Sequence, residues 1–135
     1  KVPLKPGARE FLVWLRQQGI RTGIASSNGI ELVETVLKAQ GIQEYLESVH
    51  TCCEVPKGKP APDIYLLVAK TLGVKPEECL VFEDVPMGIL AGKNAGMRVC
   101  AVEDTFSASQ RKEKKELADY YIESYDEIPR ERMQP

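Results

Sequence analysis

The chain has 135 residues, 43% of them apolar, and a net charge of −2. That length builds one domain with a packed core and is too short for two. The charge balance lacks the basic footprint of a nucleic-acid binder, and no apolar run approaches the roughly 18 residues of a membrane span. Of the four cysteines, Cys52 and Cys53 are adjacent, while Cys79 and Cys100 sit in apolar runs. With no Cys-x-x-Cys and a single His, a zinc site is not expected. Four reduced thiols fit a cytoplasmic protein.

After the proline-containing segment Lys1–Pro6, Phe11, Leu12, Trp14 and Leu15 recur at helical spacing up to Gly19, a C-cap residue. Ile20–Ala25 reads as a strand. It runs into Ser26-Ser27-Asn28-Gly29, whose hydroxyl and amide side chains suit N-caps. Leu32, Val33, Val36 and Leu37 mark the next helix, ended by Gly41. Ser48–Thr51 is a short strand holding His50, read as structural. The loop Glu54–Pro62 has three prolines between Pro56 and Pro62, which stiffen it and fix where Lys59 points. A helix follows from Pro62-Asp63 to Gly73, with Ile64, Leu67, Val68 and Leu72 inward. Cys79–Phe82 is an apolar strand; Ile89–Ala95 is a helix, with Pro86 ahead of it and Gly96 behind. Met97–Val102 is a further buried strand and Glu103–Ser107 a loop. Ser107–Leu117 is a charged helix whose Arg111–Glu116 run reads as a solvated face. Asp119–Ile122 is a last strand, Tyr125–Ile128 a helical stub, and Arg130–Pro135 reads as frayed.

Strict alternation of helix and strand implies right-handed crossovers and a three-layer α/β/α, Rossmann-like parallel sheet. Ligands of such sheets sit beyond the carboxyl ends of the strands. Three polar groups fall there: Ser26 with Ser27 and Asn28, Lys59, and the pair Glu83-Asp84. Adjacent carboxylates repel each other unless a positive charge lies beside them. A hard cation such as Mg²⁺, which takes oxygen ligands, answers that need; a solvated acidic turn is the alternative. A hydroxyl, backbone N–H groups and one ammonium make a phosphate site, although Ser26 alone could be a helix cap and Lys59 a surface lysine. An anion bridged to a metal is the arrangement used in phosphoryl transfer.

Ile24–Asn28, Gly58-Lys59-Pro60-Ala61-Pro62-Asp63, Val81–Gly92 and Ala95-Gly96-Met97 together resemble the haloacid dehalogenase superfamily, and within it the β-phosphoglucomutase-like phosphatases. The resemblance runs from Pro6-Gly7 to Ile128. It implies that Ser26 holds the phosphoryl group, with backbone N–H contacts from Ser27 and Asn28. Lys59 would neutralise the phosphate and the nucleophile. Asp84 would bind Mg²⁺ directly, and Glu83 through water or a hydrogen bond. The substrate implied is a small phosphorylated metabolite.

The family's first motif, an Asp-x-Asp whose first Asp attacks phosphorus, has no match, because no Asp precedes Asp63. The cap domain this branch inserts is also without a counterpart. Residues 1–135 therefore read as the C-terminal part of a core domain, incomplete at its central first strand. The expected partner is the absent N-terminal segment with its cap. Two functions follow: the core of a Mg²⁺-dependent phosphatase or phosphomutase whose nucleophile lies elsewhere, inactive alone; or a non-catalytic phosphate- and metal-binding or regulatory module.

Overall fold

The computed structural model describes residues 7–104 and 109–128. Helices and strands alternate along them: α1 (Ala8–Gln17), β1 (Gly23–Ser26), α2 (Ile30–Gln40), β2 (Ser48–Thr51), α3 (Asp63–Leu72), β3 (Leu80–Glu83), α4 (Pro86–Asn94), β4 (Arg98–Val102), α5 (Arg111–Leu117) and β5 (Tyr120–Ile122). Every strand pairing is parallel, and the strands form two pieces, β1–β2 and β3–β4–β5. The break falls between β1 and β3, the position that the resemblance gives to the family's first strand.

Helices cover both faces. On one, Ile64, Tyr65 and Ala69 of α3 and Ile89 and Ala91 of α4 pack with Val81, Val99 and Ala101. On the other, Phe11 and Leu15 of α1 pack with Cys100, Val102, Ile122 and Ile128, while Val33 and Leu37 of α2 meet Leu12, Ile24 and Val49. Helix α1 thus touches both pieces of the sheet, through Phe11 on one side and Leu12 on the other. Phe11 and Phe82 meet edge to face at 5.3 Å, a favourable ring geometry. Trp14 packs at the margin of the same cluster. Gly92 lets α4 lie close: a Cβ there would stand 2.6 Å from Val99 Cγ2.

Several boundaries differ from expectation, each for a local reason. The strand expected at Ile20–Ala25 runs Gly23–Ser26. The Ile20 N–H donates to the Leu15 carbonyl at 3.0 Å, so Ile20 finishes the end of α1. The strand expected at Cys79–Phe82 moves on by one, because the Cys79 N–H closes the preceding turn on the Pro76 carbonyl at 3.0 Å. Glu83 therefore belongs to the sheet, in register with Ala101. Helix α4 starts at Pro86 rather than Ile89, with Pro at its first turn, where the missing N–H does no harm.

Ile64 and Leu72 of α3 are buried as expected, together with Tyr65 and Ala69, while Leu67 and Val68 are half-buried, Val68 against Gly23 of β1. One expectation about faces is corrected. Lys114, expected on a solvated face, is fully buried, and its Nζ donates to the Val102 carbonyl at 2.8 Å. The start of the charged helix at Ser107, Lys1–Pro6 and Arg130–Pro135 lie outside the described residues.

Candidate functional site

Ser26 is the last residue of β1, opposite Thr51 of β2. Its Oγ accepts the Asn28 N–H at 3.0 Å. The expected side-chain cap of α2 is not formed; Gly29 occupies the N-cap position without one. A serine hydroxyl so near its own backbone satisfies the turn instead. Ser26 is half-buried, while Ser27 and Asn28 are exposed beyond the strand end.

The Pro-rich loop delivers Lys59 to that end. A turn from Gly58 to Ala61 (N–H to carbonyl, 3.0 Å) shapes the loop, and Asn94 of α4 donates to the Pro60 carbonyl at 3.0 Å. The Lys59 ammonium donates to the Ala25 carbonyl of β1 at 3.2 Å and to the Glu83 carboxylate of β3. It also lies 5.1 Å from the centre of the Tyr65 ring, within cation–π range. One ammonium therefore joins the carboxyl ends of the two sheet pieces, and Ser26, Lys59 and Glu83 share one edge of the molecule.

Glu83 is buried, with two partners on one oxygen. Lys59 and the Tyr65 hydroxyl both donate to Oε2. Gly88, in the first turn of α4, backs the carboxylate, and a Cβ there would overlap it. Burial first, then the Glu83 charge, pushes the Tyr65 phenol well above its usual range, so it remains a donor. Asp84 follows, half-buried in the bend before α4, and its charge adds to the upward push on Tyr65 and Tyr125. Glu83 is thus committed to Lys59 and Tyr65, and Asp84 adds a second carboxylate at the same edge. Both carboxylates have the hard-donor chemistry that suits Mg²⁺. Yet among the described residues no group of three or more His, Cys, Asp or Glu is gathered to hold a metal. The donor set fits in kind and is partial in number.

His50 lies beside β1 rather than over this edge, with Nδ1 2.8 Å from Glu54 Oε1 and Nε2 2.8 Å from Thr71 Oγ1. It ties the loop after β2 to α3. Sequence reasoning missed Tyr65 and Gly88. Gly88 could have been found as a glycine inside a helical pattern, which points to close packing. Nothing in the apolar periodicity of α3 distinguishes Tyr65 as a hydrogen-bond donor.

Known proteins resemble this chain in sequence and in fold. The family model for haloacid dehalogenase-like hydrolases matches residues 1–96. Hexitol phosphatase A of Escherichia coli strain K12 is 41% identical over 97 residues, 72% of this chain and 44% of that protein. The crystal structure of a β-phosphoglucomutase from Clostridium difficile superposes with a TM-score of 0.80 at 26% identity, covering 97% of this chain and 55% of that one. A hydrolase of the superfamily from Entamoeba histolytica gives a TM-score of 0.85 at 29% identity, over 98% and 60%. The chain spans about half the length of the curated relatives it matches. It belongs to the haloacid dehalogenase-like hydrolases, in their phosphoglucomutase-like branch.

Proposed function

We propose that this member of the haloacid dehalogenase-like hydrolases supplies the phosphate-binding and Mg²⁺-binding side of a phosphatase or phosphomutase acting on a small phosphorylated metabolite. The observation that carries this reading is the placement of Lys59, held between the Ala25 carbonyl beside Ser26 and the acid that precedes Asp84. An ammonium fixed there meets the phosphoryl oxygens, which the Ser26 hydroxyl and the Ser27 N–H hold from the β1 side, joined by the Asn28 N–H as it exchanges Ser26 Oγ for phosphate. Mg²⁺ when bound would neutralise phosphoryl charge; Asp84 would hold it directly, with Glu83 reaching it through a hydrogen bond while anchoring Lys59. The names of the relatives, a hexitol phosphatase and a β-phosphoglucomutase, support a small phosphorylated substrate.

The chemistry also needs a carboxylate nucleophile in line with phosphorus. Of the acids at this edge, Glu83 is engaged with Lys59, and this reading assigns Asp84 to the cation. Residues 1–135 are proposed as the C-terminal part of the core domain, and the nucleophile and cap as contributions of another segment. The test is a titration of the isotopically labelled chain with inorganic phosphate. The Ser27 and Asn28 amide resonances should shift and saturate, and Ser26→Ala should weaken the effect. No saturable shift at these amides would overturn the reading. With Mg²⁺ present, the chain alone should release no phosphate from p-nitrophenyl phosphate; release unaffected by Asp84→Asn would contradict it.

A further inference from the structure

Cys52 and Cys53 leave the carboxyl end of β2 and open a single 3-10 turn, Cys52–Glu54. That end lies beside Ser26, because Ser26 and Thr51 are in register. The turn is fastened independently of the cysteines. Glu54 Oε2 accepts the Thr51 N–H at 2.7 Å, and His50 holds the other oxygen at 2.8 Å. Both thiols are free; Cys53 is exposed and Cys52 half-buried. The Cys52 thiol donates to the Ser27 carbonyl at 2.9 Å, so a sulfur–hydrogen bond tethers the loop that carries Ser27 and Asn28. Desolvation, with Cys53 beside it, pushes the Cys52 thiol up, which keeps it protonated as that donor.

Two adjacent free cysteines on a turn fastened by other residues can chelate one centre, and its identity can be narrowed by chemistry. Thiolates select soft centres. Structural zinc takes four protein ligands, and no group of three or more His, Cys, Asp or Glu is gathered to hold a metal among the described residues. A trivalent arsenical with one organic substituent needs two sulfurs and no third protein ligand. We propose that Cys52 and Cys53 form a vicinal-dithiol site for such a trivalent arsenical, and that its occupation releases the Ser27 loop. The step is a condensation without redox change: R–As=O and two S–H groups give R–As(S)₂ and water. Both thiol protons leave with the oxygen as water, and two As–S bonds replace the As=O bond. Because the Cys52 proton is lost, the bond to the Ser27 carbonyl goes with it. Capture thereby acts on the loop proposed above to bind phosphate; this coupling, unlike capture itself, rests on that reading.

The probe is phenylarsine oxide, added to the reduced 135-residue chain. Intact mass should show one phenylarsenic per chain, and thiol titration after unfolding should show two of the four cysteines protected. The adduct should resist excess monothiol and be reversed by a dithiol. Cys52→Ser and Cys53→Ser should each abolish the stable adduct, whereas Cys79→Ser should keep it. A stable adduct in Cys53→Ser, or none in the unsubstituted chain, would overturn the site. On capture the Ser27 and Asn28 amide resonances should shift, and inorganic phosphate should bind about fivefold more weakly, the scale of one net hydrogen bond. Capture with both amides unmoved would overturn the coupling. If the untreated chain fails to bind phosphate, the functional reading fails, while adduct formation and the amide shifts still decide the dithiol site.

Discussion

A Cβ placed on Gly88 would overlap the carboxylate of Glu83, so the first turn of α4 closes over that acid with no room to spare. Elsewhere in a helix interior, replacing Gly by Ala gains up to about 1 kcal/mol. At Gly88 the sign should reverse. The added methyl must push Glu83 away from Lys59 and Tyr65, and overpacking of this kind costs about 1–3 kcal/mol. Urea unfolding of Gly88→Ala should give a lower midpoint; a higher one would show that Glu83 can move aside without penalty.

Lys59 and Lys57 provide an internal control on one loop. Lys57 is exposed, whereas the Lys59 side chain is only 12% exposed against the buried Glu83. Removing one partner of a buried pair strands the other charge and costs about 3–5 kcal/mol. Lys59→Ala should therefore destabilise the fold strongly, while Lys57→Ala should stay within about 0.5 kcal/mol of the parent. In a polypeptide that also carries the nucleophile, Lys59→Ala should lower turnover at least about 10²-fold, and Lys57→Ala should be nearly neutral. Equal losses in the two variants would replace a specific site with general loop electrostatics.

The division of labour between the two acids can be read with a metal titration. Glu83 faces Lys59 and Tyr65, so under the proposed assignment Asp84 should contribute most of any affinity for Mg²⁺. Calorimetry should find weak binding, above the micromolar range, lost in Asp84→Asn. Micromolar affinity, or binding that survives Asp84→Asn, would move the metal elsewhere.

Alternation of helix and strand was legible because Gly19, Gly41, Gly73 and Gly96 punctuate apolar runs whose period changes at each one. The edge residues Ser26, Lys59, Glu83 and Asp84 were legible because a parallel sheet gathers its strand ends. What escaped depends on distance across the fold. The burial of Lys114 follows from a carbonyl at the end of β4 within reach of its ammonium. The role of Tyr65 follows from Glu83 lying opposite α3. Neither partner is near in sequence, so no local pattern records the contact. The one-residue shift of β3, which draws Glu83 into the sheet, rests on the Cys79–Pro76 turn bond, a detail below the resolution of apolar periodicity.

Asp119 links α4 to the start of β5 and gives the fold an acid limit. Its carboxylate takes the Lys93 ammonium at 2.8 Å and the Val99 N–H at 2.8 Å. Lys93 foremost, with Val99 after it, holds the carboxyl below its ordinary value of 3.8. A depressed folded-state pKa means stability that is present above the unfolded value and is lost as the pH falls through the folded one. Asp119→Asn should therefore be less stable at neutral pH, by about 1 kcal/mol for the weakened charge-assisted bonds. The gap between parent and variant should narrow below pH 3.8. Other carboxylates titrate there too, so the difference between the two unfolding curves is the quantity to follow. A gap constant from neutral pH to well below that value would contradict the linkage.

Tyr65 makes two separable contributions, a hydroxyl to Glu83 and a ring beneath Lys59. Tyr65→Phe keeps the ring and removes the donor, leaving the Glu83 oxygen with Lys59 as its remaining side-chain partner. A hydrogen bond to a charged group contributes about 1.5–3 kcal/mol, and the buried carboxylate cannot recover it from bulk water. Tyr65→Leu removes both contributions, and a partly desolvated cation–π contact adds about 1–2 kcal/mol. The order of stability in urea should be parent, then Tyr65→Phe, then Tyr65→Leu. Repeating the series on Lys59→Met separates the terms. Without the ammonium, the step from Phe to Leu should shrink to the packing difference, whereas the step from Tyr to Phe should persist or grow, because Glu83 then depends on the phenol alone among these two donors. If the Phe-to-Leu step is unchanged by Lys59→Met, the ring acts only as packing, and Lys59 is positioned by Ala25 and Glu83 without it.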